Sequence, residues 1–153
     1  MFMVDKNYQI LQRTSQFFAA QLITQEWAQP VDAEHRLFRA TSDIKDADGH
    51  TLVTAYALQR PDGQWSLMLI NKDYDHEHQV RLNFHDETSG VDWFLVGPVS
   101  AVTFGKAQYR WHPDRKNGYA DPDGPPVRST VSGNASTLYT LPAASLTVLR
   151  GKH

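Results

Sequence analysis

The sequence predicts a mainly β protein, an antiparallel β-sandwich of about seven to nine strands preceded by one N-terminal α-helix. Residues 7–28, NYQILQRTSQFFAAQLITQEWA, contain no Gly or Pro, and their apolar side chains recur at spacings of three, four and seven. Beyond residue 31, short runs rich in Val, Leu, Tyr, Phe and Thr alternate with turn residues about every ten positions. The turns are chemically explicit. DADG (46–49), RPDG (60–63) and DPDG (121–124) each end in a Gly that can take positive φ without steric cost.

The helix is expected to stop at WAQP, because Pro30 disfavours helical backbone in the residue before it. Its apolar positions include Ile10, Leu11, Phe17, Phe18, Leu22, Ile23 and Trp27. On a helical wheel they cover more than the roughly 100° stripe of an ordinary surface helix. Ile10 and Phe17 lie away from Ile23 and Trp27, so this helix needs partners on more than one side. The boundary falls near residues 29–34, which separates an N-terminal helical unit, 1–30, from the sandwich, 31–153.

The expected strands are 35–44, 51–60, 65–71, 78–84, 91–97, 99–105 and 136–151. The pair TLVTAYALQRPDGQWSLMLINKD (51–73) lacks strict alternation of apolar and polar positions. In an antiparallel sheet that means both faces are covered. The sandwich partner covers one. The small side chains of Val53, Ala55 and Ala57 are expected to admit residues 7–28 against the other.

At 153 residues the chain suits one domain with a single sizeable core. A net charge of −2 forces no large basic patch, so nucleic acid is not an expected partner. No apolar run approaches the length of a membrane-spanning helix, so a membrane is not an expected partner either. The absence of cysteine excludes disulfides, thiolate metal sites and a Cys nucleophile. It leaves the compartment open, an exported parent included.

One segment stands apart, AQYRWHPDRKNGYADPDGPPVRS (107–129). It is long, rich in Pro, Gly and charge, and carries Tyr109, Trp111, His112 and Tyr119. Long irregular segments in compact domains are usually functional or disordered. Aromatics beside Asp, Arg and Asn suit a sugar, whose C–H face stacks on a ring while its hydroxyls meet polar groups. The competing expectation is that Tyr109 and Trp111 finish a strand and anchor the segment to its own domain.

The remaining candidates are weaker. DADGHTLVTAY begins like an EF-hand loop, but His50 stands where position 5 needs Asp or Asn, and no Glu follows at position 12. A hairpin turn is the expectation there. His76 and His78 are spaced as two ligands on one strand face, with no recognisable third, so no metal is expected. His112 and Asp114 lack a nucleophile in an elbow setting. The carboxylates sit mostly in turns, where they bond their own backbone, and no cofactor-binding glycine pattern is present.

Taken together, QLITQEWAQP, HRLFRATSDI, LVTAYALQRPDGQWSLMLINKD, the Gly97-Pro98 element, AQYRWH and YTLPAASLTVLRG resemble the C-terminal end of clan-A glycoside hydrolases. The family 39 type, that of β-xylosidase and α-L-iduronidase, is the most similar. The resemblance covers about residues 8–151 and rests on structural phrases. In such enzymes a (β/α)8 barrel carries catalysis, and its last helix runs into a β-sandwich packed on the barrel's side. The resemblance therefore implies that residues 1–30 correspond to that last helix and that the barrel is the natural partner, with self-association through the helix as the substitute. Ile10, Phe17, Phe18 and Trp27 become the inter-domain packing residues.

The family's acid/base Glu follows an Asn, and no Asn-Glu pair occurs here, so no catalytic residue carries over. The implied function is a non-catalytic accessory domain of a parent glycoside hydrolase, lending segment 107–129 to a substrate cleft. An independent carbohydrate-binding module using Tyr109, Trp111, His112 and Tyr119 is the alternative, with an oligosaccharide as its ligand. A small enzyme in its own right is the third and weakest option.

Overall fold

The computed structural model describes residues 1–114 and 118–153. The mainly β, antiparallel architecture expected from the sequence is present. Its frame is one six-stranded sheet. The strands are β3 (Arg36–Phe38), β4 (Val53–Gln59), β5 (Trp65–Asn71), β9 (Val96–Gly105), β12 (Val127–Gly133) and β14 (Ser145–Lys152), in the order β12-β9-β14-β5-β4-β3. Four two-stranded sheets lie around it: β1 (Phe2–Val4) with β2 (Ile10–Arg13), β10 (Tyr109–His112) with β11 (Tyr119–Asp123), β13 (Tyr139–Leu141) with β6 (His78–Val80), and β7 (Phe84–Asp86) with β8 (Val91–Trp93).

The strands outnumber the expectation because many are single three-residue pairings. The 78–84 run divides into β6 and β7, and 136–151 divides at the Pro142 turn into β13 and β14. Conversely, the expected break at Gly97-Pro98 is bridged. Gly97 takes φ +70° and β9 runs through it. Strands β1, β2, β11 and β12 were not expected, whereas β10 agrees with the expectation that Tyr109 and Trp111 belong to a strand.

The helix is shorter than residues 7–28. It spans α1 (Ser15–Gln21) and continues as a wide turn, Leu22–Trp27, in which the Ala28 N–H reaches back five residues to the Ile23 carbonyl at 2.9 Å. Residues 10–13 are strand instead, and the cause is local. Asp5 Oδ1 accepts the backbone N–H groups of Asn7 (2.8 Å) and Gln9 (2.9 Å), and Tyr8 adopts φ +63°. That turn folds Ile10–Arg13 back on Phe2–Val4. Ile10 therefore belongs to no helix face.

Cross-strand register sorts the side chains of the main sheet. Rows Thr54–Ile70–Leu146–Phe104, Tyr56–Met68–Val148–Val102 and Leu58–Ser66–Arg150–Ser100 face one way. Rows Ala55–Leu69–Thr147–Thr103 and Ala57–Leu67–Leu149–Ala101 face the other. The helix packs on the first face, with Phe18 and Leu22 buried against Val102, Phe104 and Val148, and Trp27 meeting Tyr56 edge-on at 6.5 Å. This corrects the expected side. Val53, Ala55 and Ala57 look away from the helix, toward a core of Trp65, Leu67, Leu69, Leu95, Val99, Leu141 and Leu149 beneath the small hairpins. Both faces of the 51–73 pair are covered, as its pattern requires.

Candidate functional site

The helix side of the sheet carries most of the residues singled out above. Phe18 lies on Phe104 at 5.0 Å and is nearly fully buried, so it is core rather than an outward docking residue. Phe17 turns to Phe2 of the N-terminal hairpin at 5.3 Å, and Trp27 is half-buried on the sheet. The chain's own β1 therefore covers part of the apolar arc assigned to a partner. Ile10 is different. It is 60% exposed, beside Leu11 at 66%, Val4 at 49% and Phe2 at 46%. A groove of about 400 Å³ opens between this hairpin and the β11 end, lined by Ile10, Leu11 and Phe18 on one side and Asp123, Gly124 and Pro125 on the other.

Segment 107–129 is built mainly of strands β10 and β11 and the start of β12; residues 115–117 lie outside the described residues. The segment is tied to the N-terminal hairpin by a reciprocal pair: Gln12 Nε2 donates to the Ala120 carbonyl (2.9 Å), and the Ala120 N–H donates to Gln12 Oε1 (3.0 Å). Gly124, at φ +93°, lets the strand end pass over Phe18, because a Cβ there would lie 2.4 Å from the Phe18 ring.

The four sequence-predicted aromatic-site residues divide. Tyr109 is an anchor: its ring packs against Phe104 (6.0 Å) and Phe18 (6.3 Å). Burial raises its phenol pKa, while the Ser15 backbone N–H donates to its oxygen. His112 and Tyr119 stack at 5.1 Å with planes 17° apart, and His112 Nε2 meets the Asp121 carbonyl at 3.1 Å. Trp111 and Tyr119 are 44% and 52% exposed. One side of the Trp111 ring is closed by Gly118, where a Cβ would come within 2.1 Å of the indole. The hairpin thus offers two exposed ring surfaces, not four.

Sequence reasoning missed Glu26. It is buried between the helix and the sheet, with Arg128 donating to Oε1 and Arg150 3.0 Å from Oε2. Arg60, also buried, donates to the Glu26 carbonyl at 2.7 Å and lies 3.4 Å from Asp62. Burial pushes the Glu26 carboxyl up, but the Arg128 hydrogen bond and the charges of Arg150, Arg128 and Arg60 together hold it below its ordinary value. The signal was present in the sequence: Glu26 is the one charged residue between Arg13 and Asp32.

The histidine and turn candidates resolve into local structure. Asp73 accepts from the Asp75 (3.0 Å) and His76 (3.1 Å) backbone N–H groups, and its carboxylate also meets the rings of His76 and His78. Asp46, Asp48 and His50 bring ligand atoms within 4.8 Å of one another. Asp46 Oδ1 is already engaged by the N–H groups of Asp48 (2.9 Å) and His50 (2.8 Å), which is the hairpin turn that was expected.

No family model and no curated protein matches the chain. Among solved structures it is similar to a family 51 α-L-arabinofuranosidase from Thermotoga petrophila, with 14% identity and a TM-score of 0.46 over 68% of this chain and 20% of that one. It is also similar to a family 30 endoxylanase from Clostridium papyrosolvens, with 18% identity and a TM-score of 0.42 over 78% of this chain and 24% of that one. A family 51 arabinofuranosidase from Xanthomonas axonopodis gives 15% identity and a TM-score of 0.44 over 76% and 21%. The chain thus spans between a fifth and a quarter of the length of each.

Proposed function

We propose that this chain is the accessory β-sandwich of a glycoside hydrolase of the family 39 type, docked to a catalytic (β/α)8 barrel and stabilising it. The observation that carries the reading is the exposed apolar surface of the N-terminal hairpin, Phe2, Val4, Ile10 and Leu11, beside the helix that the sequence resemblance equates with the last barrel helix. Burying such side chains in an interface gains roughly 25 cal/mol per Å² of apolar area. Left uncovered, exposed apolar side chains gathered in one hairpin favour association. Trp111 and Tyr119, on the neighbouring β10–β11 hairpin, are the residues this reading lends to the barrel's substrate cleft.

The genomic frame upstream of the Met1 codon tests the parent. It is expected to encode an in-frame barrel with two catalytic glutamates; a stop codon and ribosome-binding site directly upstream would remove the reading. The docking surface has its own test. The isolated chain is expected to self-associate with rising concentration in sedimentation velocity and to bind a hydrophobic dye, and Ile10→Ser with Leu11→Ser to suppress both. A monodisperse, dye-silent wild-type chain would show that this surface needs no partner.

A further inference from the structure

The two edges of the six-stranded sheet are unlike. β3 is three residues long, the Arg36 guanidinium lies over the Phe38 ring at 5.8 Å, and Arg39 follows directly. Short length and edge charge are ordinary protection against pairing with another strand. β12, at the other edge, has seven residues, VRSTVSG, in an unbroken ladder with β9 from Val127↔Thr103 to Gly133↔Gly97. It carries no proline and no bulge. Its one charge, Arg128, is drawn back by Glu26 on the helix face and does not guard the edge.

The ladder pattern identifies the unused backbone groups. Beyond the end of β9, the Lys106 N–H continues the bonding to β14 by donating to the Ala144 carbonyl at 3.1 Å. In an antiparallel sheet successive residues bond alternate neighbours, so the even-numbered residues of β9 bond β14 and the odd-numbered ones bond β12. Pro98 agrees, since its missing N–H falls where the β9–β14 register is broken. Val127, Ser129, Val131 and Gly133 therefore bond β9, and Arg128, Thr130 and Ser132 aim their N–H and C=O groups outward. The Ser132 carbonyl already accepts from the Thr137 hydroxyl at 3.1 Å. Arg128 and Thr130 are exposed, and nothing among the described residues bonds their backbone from that side.

We infer that this edge pairs with a second copy of the chain, antiparallel, across a two-fold axis through Ser129. The strand is self-complementary in that register, as a two-fold contact requires. Arg128 stands opposite the second copy's Thr130, and Thr130 opposite its Arg128, so every free donor meets a free acceptor. The same register sets Val127, 54% exposed, against the second copy's Val131 on the hairpin face. An axis through Thr130 would instead draw in the occupied Ser132 carbonyl and set Val127 against a glycine. Arg128 is the only charge on the strand and Glu26 neutralises it, so pairing brings no like charges together. The edge shares no residue with the N-terminal hairpin, and the inference does not depend on the accessory-domain reading.

The test is amide hydrogen exchange on the whole chain from micromolar to millimolar concentration, read by NMR, with sedimentation velocity alongside. The Arg128 and Thr130 amides are expected to exchange freely when dilute and to gain protection as a dimer forms. Thr130→Pro deletes a donor that bonds nothing inside the chain, so it should abolish the dimer and keep the fold. Thr130→Lys keeps the N–H but sets a lysine against the second copy's Arg128, and should raise the dissociation constant at least about tenfold. Association through the N-terminal hairpin adds larger species; Ile10→Ser with Leu11→Ser should remove those and leave the dimer and its protected amides. The inference is overturned if the two amides exchange freely at millimolar concentration, or if Thr130→Lys dimerises as tightly as the wild type. Protection that is unchanged on dilution would mean that the chain covers its own edge, and loss of protection in the Ile10→Ser, Leu11→Ser variant would assign the association to the hairpin; either overturns it as well.

Discussion

The two faces of the six-stranded sheet are closed by opposite devices. On the helix face, Phe18 and Leu22 fill a compact apolar cluster, and buried Glu26 ties the turn after the helix to Arg128 and Arg150 on two strands. On the hairpin face the cover is built from short paired strands held by aromatic contacts around Trp65, and a groove remains between them. A helix presents a continuous stripe and seals a sheet. Three-residue hairpins present two or three side chains each, so they leave gaps that only large aromatics can bridge. The helix face holds the domain together and opens at the N-terminal hairpin in a groove of about 400 Å³, whereas the groove on the hairpin face, about 820 Å³, is roughly twice as large.

If that division is right, the largest single loss should come from the aromatic hub. Trp65 contacts Phe38, Phe84 and Trp93 and is nearly fully buried. Trp65→Ala should destabilise by about 4 kcal/mol, the usual range for deleting a buried aromatic, read from urea unfolding. A loss of less than about 1.5 kcal/mol would mean that the hairpins are held mainly by other contacts. One of these is Asn71, whose buried amide donates to the carbonyls of His76 (3.0 Å), Leu141 (3.2 Å) and Pro142 (2.9 Å).

The helix face should respond next. Glu26→Ala leaves the half-buried Arg150 and the buried Arg60 close together without the carboxylate between helix and sheet. The expected cost is about 3 kcal/mol, as when one partner of a buried pair is removed. Glu26→Gln, which keeps the shape and an acceptor oxygen, should cost less. Equal losses for the two variants would assign the effect to the charge, because Gln keeps the shape, and the contrast between the faces would then be electrostatic rather than one of packing.

The sequence made the sheet legible wherever a strand was long and bounded by chemical turns. The expected 65–71 strand matches β5 residue for residue, and 51–60 contains β4. It failed where a tertiary partner overrode local pattern. Ile10 and Leu11 fit a helical spacing, but the Asp5 turn and pairing with Phe2–Val4 make them strand. Segment 107–129 was legible in part: Tyr109 and Trp111 lie in a strand, as one of the two expectations had it, but charge and proline suggested irregular backbone where Tyr119 begins a paired strand. The groove on the hairpin face was not legible, because its residues come from β3, β4, β5, β7 and β8 and no local run contains them. The side of the helix was misjudged for a related reason: small residues on a strand admit a helix, and equally they leave the floor of a groove open.

The smallest expected effect probes the turn where the hairpin layer is fastened to β5. Hydrogen bonds from the Asp75 and His76 backbone N–H groups, together with the His78 and His76 rings, hold the Asp73 carboxyl down to about 2. The ordinary aspartate value is about 3.9. A carboxylate depressed in the folded state stabilises fully above the unfolded value, and that contribution is lost as pH falls through the folded one. Asp73→Asn should therefore lower the melting temperature at pH 6, and the gap from the wild type should close as pH falls from about 4 to about 2. A gap that persists at pH 2 would mean that the side chain acts through the shape of its turn rather than its charge. The hairpin layer would then be fixed by backbone geometry at this end and by Trp65 at the other.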